Sequence, residues 1–254
     1  MKIGITGAAG NIGETLRSGL EDHDLFLYDI KPINTNGQSW EVDLAERENC
    51  EGIFDGLDAL IHLAADPNPN SLWKSLYPNN LSATYNVLDE AGRAGVKRFV
   101  FASSNHVQHG RSKRTTPETL DVNFVREHGL MKVSDLPKPD SLYGVSKLYG
   151  EILGGRALDT YGLQFVALRI GWTISEDDPT IMKGKKEEDY MRAMFLSKRD
   201  CVQAFRKALA NDVDYFVGYA ISNNDRRVFD LTETEKVLGY KPEDNAENYS
   251  WDGE

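Results

Sequence analysis

Tyr143 and Lys147, in the run Tyr143-Gly144-Val145-Ser146-Lys147, stand four residues apart. On a helix that spacing puts both side chains on one face. An isolated phenol titrates near ~10, too high for a base at neutral pH. A neighbouring ammonium favours the phenolate and brings that value down. The pair therefore reads as a general base with an electrostatic helper. Because the pattern alone often arises by chance, its position relative to other signals matters. It follows Phe101-Ala102-Ser103-Ser104-Asn105, where two serines close an apolar run. Open α/β sheets place their ligand crevice at such strand ends.

A glycine cluster comes earlier. Thr6-Gly7-Ala8-Ala9-Gly10-Asn11-Ile12-Gly13 follows one apolar run and leads into a helical pattern, the context a dinucleotide fingerprint requires. Gly7 permits the tight turn, Gly10 lets backbone approach a pyrophosphate, and Gly13 allows close helix–strand packing. The helix that starts at Asn11 and Ile12 offers free N–H groups and a positive dipole end to phosphate. Asp29 ends the second apolar run. A carboxylate there accepts hydrogen bonds from both ribose hydroxyls and repels a 2′-phosphate, which points to NAD rather than NADP. Lys31 softens that preference. Asp43-Leu44 and Leu63-Ala64-Ala65 sit where adenine and ribose contacts fall in such a fold.

The elements that must position these residues are legible as apolar runs. Lys2–Thr6, Leu25–Tyr28, Ala59–Leu63, Arg98–Ala102 and Phe165–Ile170 read as parallel strands buried on both faces. Helical periodicity marks Asn11–Leu20, Asn80–Ala94, Tyr143–Tyr161 and Arg192–Ala210. The alternation predicts an α/β fold, a Rossmann-type doubly wound parallel sheet, with a small C-terminal substrate-binding lobe. The expected organisation is one domain over 1–254, with about 1–171 forming the cofactor core and about 172–254 the substrate lobe. The stretch His106–Ser141 is too long and irregular for an ordinary connection and reads as a functional excursion. Ser175–Tyr190 is similarly polar.

Composition narrows the function class. The chain has 254 residues, enough for one large core, and a net charge of −11. That charge repels phosphate backbones and argues against a nucleic-acid partner. No apolar run is long enough to span a membrane. The first residues lack the basic start and cleavage site of a signal peptide, so a cytoplasmic location is expected. Cys50 and Cys201 form no metal spacing and no disulfide framework, and no metal is expected.

Taken together, the glycine loop, the serine pair and the Tyr-Lys pair resemble the extended short-chain dehydrogenase/reductase family, over essentially the whole chain. The GxxGxxG spacing is typical of such enzymes. FASSNH (Phe101–His106), LYGVSK (Leu142–Lys147), ALRIG (Ala167–Gly171) and GYKPEDNAE (Gly239–Glu247) are similar to uronate dehydrogenases. The long insert, FLSKRDC (Phe195–Cys201) and ISNNDRR (Ile221–Arg227) are similar to archaeal NAD-dependent glucose-6-phosphate dehydrogenases. Both groups oxidise the anomeric hydroxyl of a sugar to a lactone.

This resemblance implies roles. Ser104 hydrogen-bonds the reacting oxygen, Tyr143 is the general base, and Lys147 lowers its pKa and holds the nicotinamide ribose. Asn80 supports the lysine through water, Ile170 meets the nicotinamide, and Asn105 and His106 line the sugar site. Uronate dehydrogenases carry a serine after the RIG stretch, where this chain has Trp172 and Thr173. Their carboxylate-binding arginine falls near Tyr190–Arg192, which makes Arg192 the candidate. Two basic clusters, Lys183, Lys185 and Lys186, and Arg111, Lys113 and Arg114, are candidates for a substrate phosphate. The leading expectation is NAD-dependent oxidation of glucose 6-phosphate, with uronate oxidation as the alternative. A nucleotide-sugar epimerase would need a larger C-terminal lobe, and an NAD-sensing regulator would tend to lose the Tyr-Lys pair. The family's usual homodimer would use the two long helices from Asn80 and Tyr143.

Overall fold

The computed structural model describes residues 1–112, 121 and 124–251. Among them seven strands form one sheet: β1 (Lys2–Thr6), β2 (Asp24–Asp29), β3 (Gln38–Glu41), β4 (Ala59–His62), β5 (Arg98–Ser104), β6 (Gln164–Ile170) and β7 (Tyr215–Ala220). Their order is β3-β2-β1-β4-β5-β6-β7, and every pair is parallel. Chain order reverses between β1 and β4, which opens a crevice at their carboxyl ends. The predicted doubly wound sheet is thus observed. The two edge strands β3 and β7 were absent from the sequence reading.

The helices are α1 (Asn11–Gly19), α2 (Trp73–Leu76), α3 (Ala83–Arg93), α4 (Phe124–His128), α5 (Leu142–Tyr161), α6 (Glu188–Met194), α7 (Lys198–Ala210) and α8 (Thr232–Leu238). α1 and α7 cover one sheet face over Ile3, Ile5, Val100, Val166 and Leu168, with Phe205 of α7 packed into the same cluster. On the other face, α3 and α5 lie over Leu60, Phe99, Phe101 and Phe165. The helix expected to begin at Asn80 starts earlier, at Trp73, and passes through a widened π turn, Tyr77–Ser82, before α3.

α5 carries the Tyr-Lys pair, and its placement depends on two small residues. A Cβ on Gly150 would meet the Phe101 ring at 2.4 Å, and one on Gly154 would meet Phe165 at 2.3 Å. The helix therefore lies directly on the β5 and β6 aromatics. Its start is set by Ser141, whose hydroxyl accepts from the Gly144 N–H at 3.1 Å. Its end is the left-handed Gly162.

The helix expected over Arg192–Ala210 is two helices. α6 stops at Met194 because the next residues pair with the loop after β6. Trp172 N–H donates to Met194 O, and Leu196 N–H donates to Trp172 O at 3.0 Å. Ser197 then caps α7 through the Asp200 N–H. The long excursion after β5 packs on the C-terminal segment through Met131, Tyr190, Tyr219 and Phe229.

Candidate active site

Five strand ends converge on one cleft of about 950 Å³. Into it open the glycine loop after β1, Asp29 at the end of β2, the β4 loop, Ser104 at the end of β5 and Ile170 at the end of β6. Gly7 adopts φ +70°, and a Cβ there would strike the Ala64 backbone N at 2.7 Å. A Cβ on Gly13 would strike Gly7 O at 2.5 Å, so the helix is seated hard against the loop.

The fit of a dinucleotide can be tested on these atoms. The residue before α1 is Gly10, with no side chain to cap the helix, so the first N–H groups face the cleft. Asp29 is positioned by two backbone donors, Ala9 N–H at 2.9 Å and Lys31 N–H at 2.9 Å. Gly7, Gly10, Asn11, Ile12, Gly13, Asp29, Asp43, Leu44, Leu63, Ala64, Ala65 and Ile170 all line the cleft, as expected for cofactor contacts. Asn11 also reaches across it, donating to the Thr173 hydroxyl at 3.1 Å. The donor set and the helix end fit a dinucleotide pyrophosphate and ribose.

At the other end of the cleft stand Ser104, Tyr143 and Lys147. The Lys147 ammonium lies 5.7 Å from the Tyr143 ring centre and 5.1 Å from that of Phe101. Burial pushes the Tyr143 phenol up to about 12, with nearby Asp66 and Asp140 adding to the shift. A hydrogen bond to Ser104 works the other way. Burial also pulls Lys147 down to about 8. Both shifts oppose base catalysis. A further positive charge near the phenol is needed to draw its proton off, and an oxidised nicotinamide, when bound, would supply one.

His106 lines the cleft edge-on to Tyr143, with ring centres 5.5 Å apart. Its Nδ1 meets both Asp140 oxygens at 3.0 Å. His62 sits behind the site between the Thr6 and Thr84 hydroxyls, at 2.7 and 3.2 Å. Burial, helped by the Lys147 charge, pulls it down to about 3, so it stays neutral. Beneath the cleft, Arg169 and Glu151 form a bidentate ion pair, at 2.9 and 2.8 Å, both side chains only 3% exposed. Ser103 donates to the same carboxylate at 2.5 Å. Ser103 and Arg169 directly precede Ser104 and Ile170 in sequence, and Glu151 lies one helical turn beyond Lys147. The pair therefore locks β5, β6 and α5 in register.

Among the described residues, seven candidates lie outside the cleft wall. Asn80 is buried, accepts from Asp66 N–H at 2.8 Å and donates to Ser146 at 2.9 Å. It ties the β4 loop to α5. Asn105 is also buried and donates to the Tyr190 hydroxyl at 3.0 Å. Arg192 is turned away from the cleft because it sits two residues from Tyr190 on α6, on the opposite helix face. Its guanidinium is matched by Glu188 at 3.0 Å and Glu247 at 3.1 Å, over the Trp251 ring at 4.1 Å. Lys183, Lys185 and Lys186 are exposed on the turn before α6. Arg111 is exposed and donates to Leu136 O at 3.3 Å, while Lys113 and Arg114 fall outside the described residues.

Asp66 and Tyr190, which no sequence motif marks, line the cleft together with Trp172 and Thr173, the two residues that depart from the uronate dehydrogenase pattern. A polar turn after the HLAA run was the available signal for Asp66. Nothing local pointed to Tyr190.

Comparison with known proteins agrees with this geometry. Residues 3–201 match the model of the NAD dependent epimerase/dehydratase family. L-arabinose 1-dehydrogenase (NAD(P)(+)) of Haloferax volcanii is 39% identical, over 96% of this chain and 97% of that protein. NAD-dependent glucose-6-phosphate dehydrogenase of the same organism is 34% identical, over 98% and 96%. A mutant of uronate dehydrogenase from Agrobacterium tumefaciens, complexed with NAD, superposes with a TM-score of 0.79 at 26% identity. That superposition covers 97% of this chain and 86% of the other.

Proposed function

Since the chain belongs to the NAD-dependent epimerase/dehydratase family, we propose that it is a sugar dehydrogenase that oxidises the anomeric C1 hydroxyl of an aldose to the lactone. The observation that carries this is the meeting of Ser104, Tyr143 and Lys147 in one cleft with the dinucleotide cradle. Tyr143 takes the C1 hydroxyl proton as general base. Ser104 donates to the same oxygen and holds it at the phenol. Lys147 stabilises the phenolate. NAD, when bound, accepts the hydride that leaves C1. The carbonyl so formed closes the balance as a lactone.

The electrostatics of the cleft favour an uncharged sugar. Among the described residues its lining cations are Lys31, beside Asp29 at the ribose end, and Lys147 itself. Asp66 adds negative charge near the phenol. Arg192 is held by two glutamates, which counts against a uronate. A free aldose of the kind named for the 39% identical relative, L-arabinose, suits this environment. Glucose 6-phosphate is the second reading, favoured by the 34% identical relative. Initial rates of nicotinamide reduction with L-arabinose, glucose 6-phosphate and glucuronate, each with NAD and NADP, test both. Turnover of L-arabinose with NAD is expected. Turnover of glucose 6-phosphate alone would move the chain to the second reading, and no turnover of any sugar would defeat the proposal.

A homodimer is part of this proposal. Tyr85 on α3 and Val145, Ile152 and Tyr161 on α5 are exposed on the outer face of the two helices, an apolar surface suited to a second copy. Light scattering at micromolar concentration should give twice the chain mass, and a monomer would refute it. No helix among the described residues is long and apolar enough to cross a membrane.

A further inference from the structure

We infer that Tyr190 is the specificity-determining residue of the sugar site, acting as a fixed wall that admits an aldopentose and excludes a substituent on C5. The inference rests on the sugar dehydrogenase reading. Among the described residues, Tyr190 is the α6 side chain that lines the cleft. It is only 4% exposed. Its ring is near-parallel to His109, with centres 5.0 Å apart and planes 20° apart. Trp172, also in the cleft wall, lies 5.4 Å away at 53°.

The ring is anchored at its far end as well. Asn105 Nδ2 donates to the Tyr190 hydroxyl at 3.0 Å. Asn105 is 1% exposed and directly follows Ser104, whose hydroxyl lies 3.4 Å from the Asn105 amide oxygen. The wall is thus tied to the residue that holds the reacting oxygen. A sugar placed with its C1 oxygen at Ser104 and Tyr143 would share the cleft with a Tyr190 ring held in place at both ends. The tyrosine cannot swing aside without losing the Asn105 bond and the His109 stack, both in a water-poor setting. An aromatic wall also suits the C–H face of an uncharged ring and gives no counter-ion to a charged C6 group.

Two sugar series isolate the C5 substituent. L-arabinose, D-galactose and D-galacturonate share one pyranose ring and differ at C5 by hydrogen, hydroxymethyl or carboxylate. D-xylose, D-glucose and D-glucuronate form the second series. Substituting a pocket wall changes discrimination between substrates differing by one carbon by about 10–200-fold. The wild-type enzyme should favour the pentose in the series it accepts. Tyr190→Ala should raise the hexose-to-pentose ratio of kcat/KM by about 10-fold or more, chiefly through the hexose KM, with the KM for NAD unchanged. Tyr190→Leu, which keeps apolar bulk, serves if the alanine variant does not fold, with a smaller change of the same sign. A wild-type preference for the hexose, or an unmoved ratio in a folded Tyr190 variant, would overturn the inference. No turnover of any sugar by the wild-type chain would instead remove the reading on which it rests.

Discussion

Lys147 should be a stability liability in the cofactor-free protein, and replacing it by methionine should make that protein more stable. Burial lowers its pKa from 10.5 to about 8. A lysine depressed in the folded state destabilises the fold wherever the unfolded chain holds the proton more firmly. The penalty is therefore complete below pH 8. It fades between 8 and 10.5 as the unfolded chain also loses its proton, and it vanishes above. The two values correspond to about 3 kcal/mol at pH 7. Losing the contact of the ammonium with the Phe101 ring, 5.1 Å away, returns about 1 kcal/mol. Lys147→Met, similar in length and apolar, should then gain about 2 kcal/mol, or about 5 °C in Tm for a chain of this size. Urea unfolding of both proteins without NAD, at pH 7 and at pH 10.5, reads the difference. The gain should be present at pH 7 and nearly gone at pH 10.5, while sugar oxidation is lost at both. A less stable variant at pH 7, or a gain independent of pH, would refute the reasoning that the buried ammonium is held at the expense of the fold.

Four further outcomes follow from the same geometry. Tyr143→Phe should lower kcat by about 10²–10⁴-fold while NAD affinity, followed by calorimetry, stays within a few-fold. Wild-type phenol absorbance should show Tyr143 protonated past pH 10 without NAD, in line with a pKa near 12. Asp29→Ser removes the carboxylate opposed to a 2′-phosphate, so the NADP-to-NAD ratio of kcat/KM should rise by at least about 10-fold; an unchanged ratio would mean that Asp29 does not select the cofactor. Glu151→Gln leaves the buried Arg169 charge unmatched and should cost about 3–5 kcal/mol in chemical denaturation. The double variant Glu151→Leu with Arg169→Met should recover much of that stability yet keep a reduced kcat, because the register of β5, β6 and α5 has lost its tie; full recovery of kcat would argue that the pair serves stability alone.

Much of this protein was legible from local pattern. β1, β2, β4, β5 and β6 each carry a short apolar run because each is an inner strand of a parallel sheet, largely buried. β3, with all four residues exposed, lies at a sheet edge and carries no such signal, whereas β7 is an apolar run, YFVGYA, as buried as β2, and was legible on the same ground. The glycine loop was readable because its chemistry is backbone chemistry, set by neighbours in sequence. The same holds for Tyr143 and Lys147, whose common face follows from helical spacing alone. What no local pattern holds is which side chains from distant segments meet. Arg192 and Tyr190 are two residues apart, and only the docking of α6 decides that the tyrosine faces the cleft while the arginine turns to Glu188 and Glu247. The Arg169–Glu151–Ser103 tie and the His106–Asp140 pair arise the same way, from strands and loops brought together in the fold. Sequence spacing alone thus determined that Tyr143 and Lys147 share a helix face and that the glycine loop opens a helix, and tertiary packing decided which distant side chains, Tyr190 among them, line the same cleft, because helix phase and loop docking are set by the whole core.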